Sequence, residues 1–141
     1  MSRIEAWWIH LSVAVVGLTG IVWAWMIYFL EPIEEFSILH HPWEPQMQLL
    51  HILGAPFLVF VLGLVWKKHV WGKIRQGHRS RRRTGLFLAL LAAPAALSGW
   101  FLQVSVEEFW RQFWAISHLI TGLIWFLGFL IHQVVPVNKE P

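Results

Sequence analysis

The chain contains no cysteine in its 141 residues. That excludes structural disulfides, iron–sulfur ligation by thiolate and covalent haem attachment through a Cys-x-x-Cys-His motif, so any haem must be held non-covalently. Charge is scarce as well: 13% of residues are Asp, Glu, Lys or Arg, against 57% hydrophobic. A chain this small and this apolar is not a soluble domain. Charged residues are missing altogether from four stretches, 7–30, 47–66, 85–102 and 113–135. Each is long enough to cross the hydrocarbon core as a helix. The expected fold class is therefore all-α, an integral membrane four-helix bundle. It forms one domain over residues 1–141, with no soluble catalytic module. A basic residue, Arg3, precedes the first stretch as it would in a signal peptide. That stretch is too long for a signal core and ends in no small-x-small pattern, so it reads as a retained helix.

Lys and Arg are also absent from the first connection, residues 31–46, which carries Glu31, Glu34, Glu35 and Glu44 instead. The second connection holds Lys67, Lys68, Lys73, Arg75, Arg79, Arg81, Arg82 and Arg83, and the third has Arg111 beside Glu107 and Glu108. The positive-inside rule then places the basic connection and both termini in the cytoplasm, the protein being multi-pass in the membrane. The basic run needs no nucleic acid to explain it, because anionic lipid headgroups are its natural neighbours. Pro32, Pro42 and Pro45 mark the first connection as a surface loop, and its His40 and His41 read as solvated. The third span is rich in Ala and Gly, has Pro94 and lacks histidine. It reads as a close-packing helix.

What the spans do contain is histidine. His118 and His132 are fourteen residues apart on the last span. At ~1.5 Å per residue they are separated by roughly 21 Å along the helix, and at ~100° per residue the second falls about 40° round from the first. One helix thus presents an imidazole near each membrane face. His51 lies near the outer end of the second span and His10 near the inner end of the first. Four histidines at two depths form one pair per leaflet, and bis-histidine ligation of haem iron takes one imidazole from each of two helices. Gly122, Trp125 and Phe129 share the face of His118, Gly17 and Gly20 lie on or near the His10 face, and Gly54 is one turn from His51. Glycine on such a face leaves room for a flat macrocycle, and the aromatics would pack on it. A proton relay would want Asp or Glu within the spans, and there is none. His69 follows Lys67 and Lys68, which puts it in the headgroup zone, and its ~27 Å from His51 mismatches the ~21 Å on the last span. His10 is therefore preferred as partner of His132. His78, in the basic connection, is assigned nothing.

One histidine on the first span, one on the second, none on the third and two on the fourth resembles a known family over essentially the whole chain. It is similar to the dihaem cytochrome b subunits that anchor respiratory formate dehydrogenases and nickel-iron hydrogenases, and to the bacterial cytochrome b561 proteins. The resemblance implies an outer haem b between His51 and His118 and an inner haem b between His10 and His132. It implies electron transfer between a periplasmic iron–sulfur or c-type cytochrome subunit and quinone in the membrane, within a hetero-oligomeric oxidoreductase complex. A quinone site is then expected beside the inner haem. The chain departs from the pattern after His10, where Leu11 stands in place of the Trp that members often carry. Arg111 outside, and Arg3 or Lys67 inside, are expected to pair with haem propionates by charge complementarity. Two other classes fit the composition: a stand-alone quinone-reducing cytochrome, and a haem-free structural or assembly subunit.

Overall fold

The structure is a computed structural model that describes residues 2–76 and 81–136; His78 and Arg79 of the basic connection lie outside the described residues. Those residues are all-helical, without strands, and four helices are long and apolar enough to cross a membrane: Arg3–Phe29, Glu44–Arg75, Arg82–Val104 and Glu108–Val134. The all-α, four-span class expected from the sequence is what is found. Leu11, Phe60, Leu90 and Ile120 are each more than half exposed. Large apolar side chains displayed on every helix are tolerable in lipid and ruinous in water. The chain falls into two compact units, residues 2–63 and residues 64 onward.

In the first unit, helix α1 (Arg3–Phe29) begins ahead of the apolar stretch because Ser2 and Glu5 form a capping box. The Ser2 hydroxyl accepts from the Glu5 N–H at 3.1 Å, and the Glu5 carboxylate accepts from the Ser2 N–H at 2.6 Å. Its buried residues Ile9, Ser12, Val13, Thr19 and Met26 recur at helical spacing and make one inward stripe. The two hydroxyls on that stripe donate back to their own helix, Ser12 to the Trp8 carbonyl and Thr19 to the Val15 carbonyl. Helix α2 (Glu44–Val65) packs against α1 through Phe57 on Trp8 and Gly54 on Val16. It starts at Glu44, with Pro45 in the first turn, where proline costs no hydrogen bond. The loop before it is ordered by local bonds. Glu44 accepts from the His40 N–H at 2.9 Å, and the His41 Nδ1 accepts from the Trp43 N–H at 3.1 Å.

The second span does not stop at Trp66. It continues through a π-helical turn, Trp66–Trp71, and a last α turn, α3 (Gly72–Arg75). The reason is its pattern: His69, Val70 and Ile74 are half-buried, while Lys67, Lys68, Lys73 and Arg75 are exposed. An amphipathic helix of this kind keeps its cationic heads in water while its stems lie on apolar surface. Helices α4 (Arg82–Val104) and α5 (Glu108–Val134) form an antiparallel hairpin. Close approach comes from glycine, since a Cβ on Gly128 would lie 3.1 Å from the Phe87 ring. At this contact the small residue is on α5, not on the third span, where it was expected. At one end Phe101 stacks on Trp114, with centroids 4.7 Å apart. At the other end Arg81 donates to the Val135 carbonyl at 2.6 Å and to the Gln133 carbonyl at 3.1 Å. It thereby caps the carbonyl end of α5 with a cation.

Candidate cofactor-binding histidines

The four intramembrane histidines divide evenly between the units, His10 on α1 and His51 on α2 in one, His118 and His132 on α5 in the other. His51 reaches across to α1, where its Nδ1 lies 2.9 Å from the Val16 carbonyl oxygen. A carbonyl only accepts, so Nδ1 carries the proton and the ring's lone pair is on Nε2. Gly20 forms the floor beneath the imidazole: a Cβ there would come within 2.6 Å of Cε1 and 2.8 Å of Nδ1. Gly20 was expected near the face of His10; its contact is with His51. One turn on, the Trp23 ring stands 6.0 Å from His51, centroid to centroid. The Trp23 indole N–H is buried with no hydrogen-bond partner among the described residues.

His118 is held in the same manner by α4. Its Nδ1 is 3.0 Å from the Ala95 carbonyl and 3.3 Å from the Ser98 hydroxyl. A Cβ on Gly99 would lie 2.8 Å from its Cε1. The buried Ser98 donates to the Ala95 carbonyl at 3.1 Å. His132 meets the start of α4, where its Nδ1 is 2.8 Å from the Thr84 hydroxyl. That hydroxyl also lies 3.1 Å from the Arg81 carbonyl; donating its proton there leaves it an acceptor for the imidazole. Gly85 lies beside the ring, and a Cβ there would stand 3.5 Å from Cε1, an ordinary contact. His10 differs from these three. It is exposed, and its Nδ1 donates to the Ala6 carbonyl of its own helix at 2.6 Å.

All four Nδ1 atoms therefore face acceptors, three of them main-chain carbonyls. This arrangement is the one that orients a metal-ligating histidine and raises its basicity. Among the described residues no three His, Asp or Glu side chains gather as they would around a bare metal ion. A haem asks less of the protein, because the porphyrin supplies the remaining ligands. At Gly122, a Cβ would meet nothing within 4 Å. Trp125 and Phe129 do not stand open to a macrocycle in the way expected. They are buried and stacked on each other at 5.9 Å, and the Trp125 indole donates to the Leu88 carbonyl of α4 at 3.1 Å.

The helix continues through His69, which lies half-buried on the π-helical turn in the same unit as His132. Sequence reasoning also missed Val16, Ala95, Thr84 and Gly99, which hold the imidazoles. One signal was there to find: a hydroxyl residue followed by glycine occurs at Thr19-Gly20, Thr84-Gly85, Ser98-Gly99 and Thr121-Gly122. The first three of these steps each adjoin one of the histidines. No protein-family model, curated protein or solved structure gives a significant match to this chain.

Proposed function

We propose that the chain is a membrane-embedded dihaem cytochrome b that carries electrons across the bilayer between an outer-face redox partner and the quinone pool. The observation that carries this reading is the set of four intramembrane histidines at two depths, each with Nδ1 turned to an acceptor. Buried polar groups in lipid are costly and mark function by default. The proposed axial pairs are His51 with His118 and His10 with His132. A haem b bound at each pair supplies one-electron iron chemistry, and the protein's share is to hold, orient and insulate it. His118 and His132 share one helix and so fix two depths roughly 21 Å apart, a distance that crosses most of the ~30 Å core.

Other groups of the chain fit the same use. The indole N–H of Trp23, buried beside His51 with no partner among the described residues, is a donor for a carboxylate or carbonyl oxygen of a bound group. Leaving such a donor unmet costs about 1–3 kcal/mol. Gly122 keeps the His118 helix bare where a flat ring would lie. Arg111, exposed near the start of α5, offers a cation to a propionate or to an acidic partner surface. The redox partner is an iron–sulfur or c-type cytochrome subunit on the periplasmic side of the bacterial inner membrane. Quinone exchanges beside the inner haem.

The deciding measurement is a pyridine haemochrome assay on quantified, purified full chain. With two axial ligands per ring, it should return about two b-type haems per chain. One haem, or none, refutes the pairing.

A further inference from the structure

Three histidines sit on the same construction. A carbonyl at one position is followed three residues later by a hydroxyl and one further on by a glycine: Val16, Thr19, Gly20; Ala95, Ser98, Gly99; Arg81, Thr84, Gly85. In each, the hydroxyl lies within hydrogen-bond distance of that carbonyl, at 3.1 Å for Ser98, 3.1 Å for Thr84 and 3.3 Å for Thr19, whose shorter bond, 2.6 Å, is to the Val15 carbonyl. The glycine amide bonds to the same carbonyl as part of the helix. An imidazole from the next long helix then lies on the glycine and bonds either to the carbonyl, as His51 and His118 do, or to the hydroxyl, as His132 does. The construction occurs in both compact units.

We propose that these hydroxyl–glycine steps are imidazole seats. They fix the tautomer and ring rotation of His51, His118 and His132 from within each helix pair, so that the ligands are set by the polypeptide and not by what binds them. Gly20, Gly99 and Thr84 are then positioning residues. As ligand-positioning residues they rest on the dihaem reading; as a way of holding three histidines they stand without it. A seat matters because a ligating imidazole whose Nδ1–H is held by an acceptor is a stronger donor at Nε2, and mutation of such partners typically costs about 10–100-fold in metal affinity or activity.

The geometry ranks the substitutions. Gly20→Ala and Gly99→Ala place a methyl 2.6 and 2.8 Å from a ring carbon, where the ring must move. Gly85→Ala places it at 3.5 Å, and Gly63→Ala in open space. For His132 the sensitive change is Thr84→Val, which removes the acceptor, with Thr84→Ser as the conservative rescue. Ser98→Ala leaves the Ala95 carbonyl in place and is milder.

The test uses the full chain in nanodiscs with 15N-labelled histidine, reduced so that any bound iron is diamagnetic, and reads the Nδ1–H signals. A companion ferric EPR spectrum reports axial-imidazole rotation. Gly20→Ala and Gly99→Ala should each shift or lose one Nδ1–H signal and displace one EPR component, while Gly85→Ala and Gly63→Ala change neither. Thr84→Val should lose a third signal that Thr84→Ser retains. If a glycine variant does not accumulate, the Thr84 pair carries the test alone. The proposal is overturned if Gly99→Ala matches the wild type, or if Thr84→Val and Thr84→Ser behave alike. A wild type that shows the Nδ1–H signals of His51, His118 and His132 and no haem would sink the dihaem reading and leave the seats standing.

Discussion

At the scale of the residue, tautomer is the property that decides what an imidazole can do. Main-chain carbonyls hold the proton of His10, His51 and His118 on Nδ1, and for His132 the facing group is the Thr84 hydroxyl, which can accept while donating to the Arg81 carbonyl. The four are not equally fixed. His51, His118 and His132 are tied to a neighbouring helix, whereas His10 is exposed and bonds its own turn. His69, in the same unit as His132, is the alternative for the proposed inner site. Depth favours His10: the ~27 Å from His51 to His69 overshoots the ~21 Å between His118 and His132, even though a π-helical turn shortens it slightly. His10→Ala should therefore remove one haem and leave the spectrum of the other intact. His69→Ala should retain both, and His51→Ala should lose one whichever histidine serves the inner site. Haem content and the reduced-minus-oxidised spectrum of the three variants check this. The converse, loss on His69→Ala with none on His10→Ala, would move both partner ligands to the second span.

At the scale of the element, what was legible depended on whether a signal lies along one helix or between two. The four spans follow from runs of uncharged sequence, and the depth of each histidine from its place in the run. The ends were less legible. α1 starts at a capping box that hydropathy does not register, and the second span continues because Val70 and Ile74 sit at helical spacing among the basic residues. The seats were illegible in advance for another reason: which glycine meets which histidine is a matter of helix register. Gly20 illustrates it, reading as a neighbour of His10 along α1 and proving to be the floor of His51 on α2. Arg81 could not be placed in advance either. It takes a left-handed backbone, φ 55°, at the cap of α4 and donates to two carbonyls at the end of α5. The strained backbone costs roughly 1–2 kcal/mol in a non-glycine residue. Two hydrogen bonds from a charged donor contribute about 1.5–3 kcal/mol each. The bonds win, so Arg81→Gly should destabilise the full chain in detergent by about 2 kcal/mol despite relieving the strain. Equal or higher stability in an equilibrium unfolding titration would show that the cap contributes less than the backbone costs.

At the scale of the whole molecule, the distribution of charge bears on how the protein is oriented in a membrane. The connection between the second and third spans carries eight Lys and Arg, and the first connection carries none. Four of the eight, Lys67, Lys68, Lys73 and Arg75, are exposed on the helical continuation of the second span. A stiff, cationic helix end of this kind belongs among anionic headgroups, where each basic residue contributes about 1 kcal/mol. By the positive-inside rule, the orientation we propose from this asymmetry has the basic connection and the termini inside. On that proposal His51 and His118 would lie toward the periplasm, His10 and His132 toward the cytoplasm, and the acidic first connection would face the proposed periplasmic partner. A green fluorescent protein fused after the last residue should fluoresce, because it matures in the cytoplasm. An alkaline phosphatase at the same point should be silent, and one inserted in the first connection active. Phosphatase activity at the C-terminus would exchange the two sides. The outer and inner labels of both histidine pairs would then reverse together, while the pairing itself, which depends on depth and not on orientation, would stand.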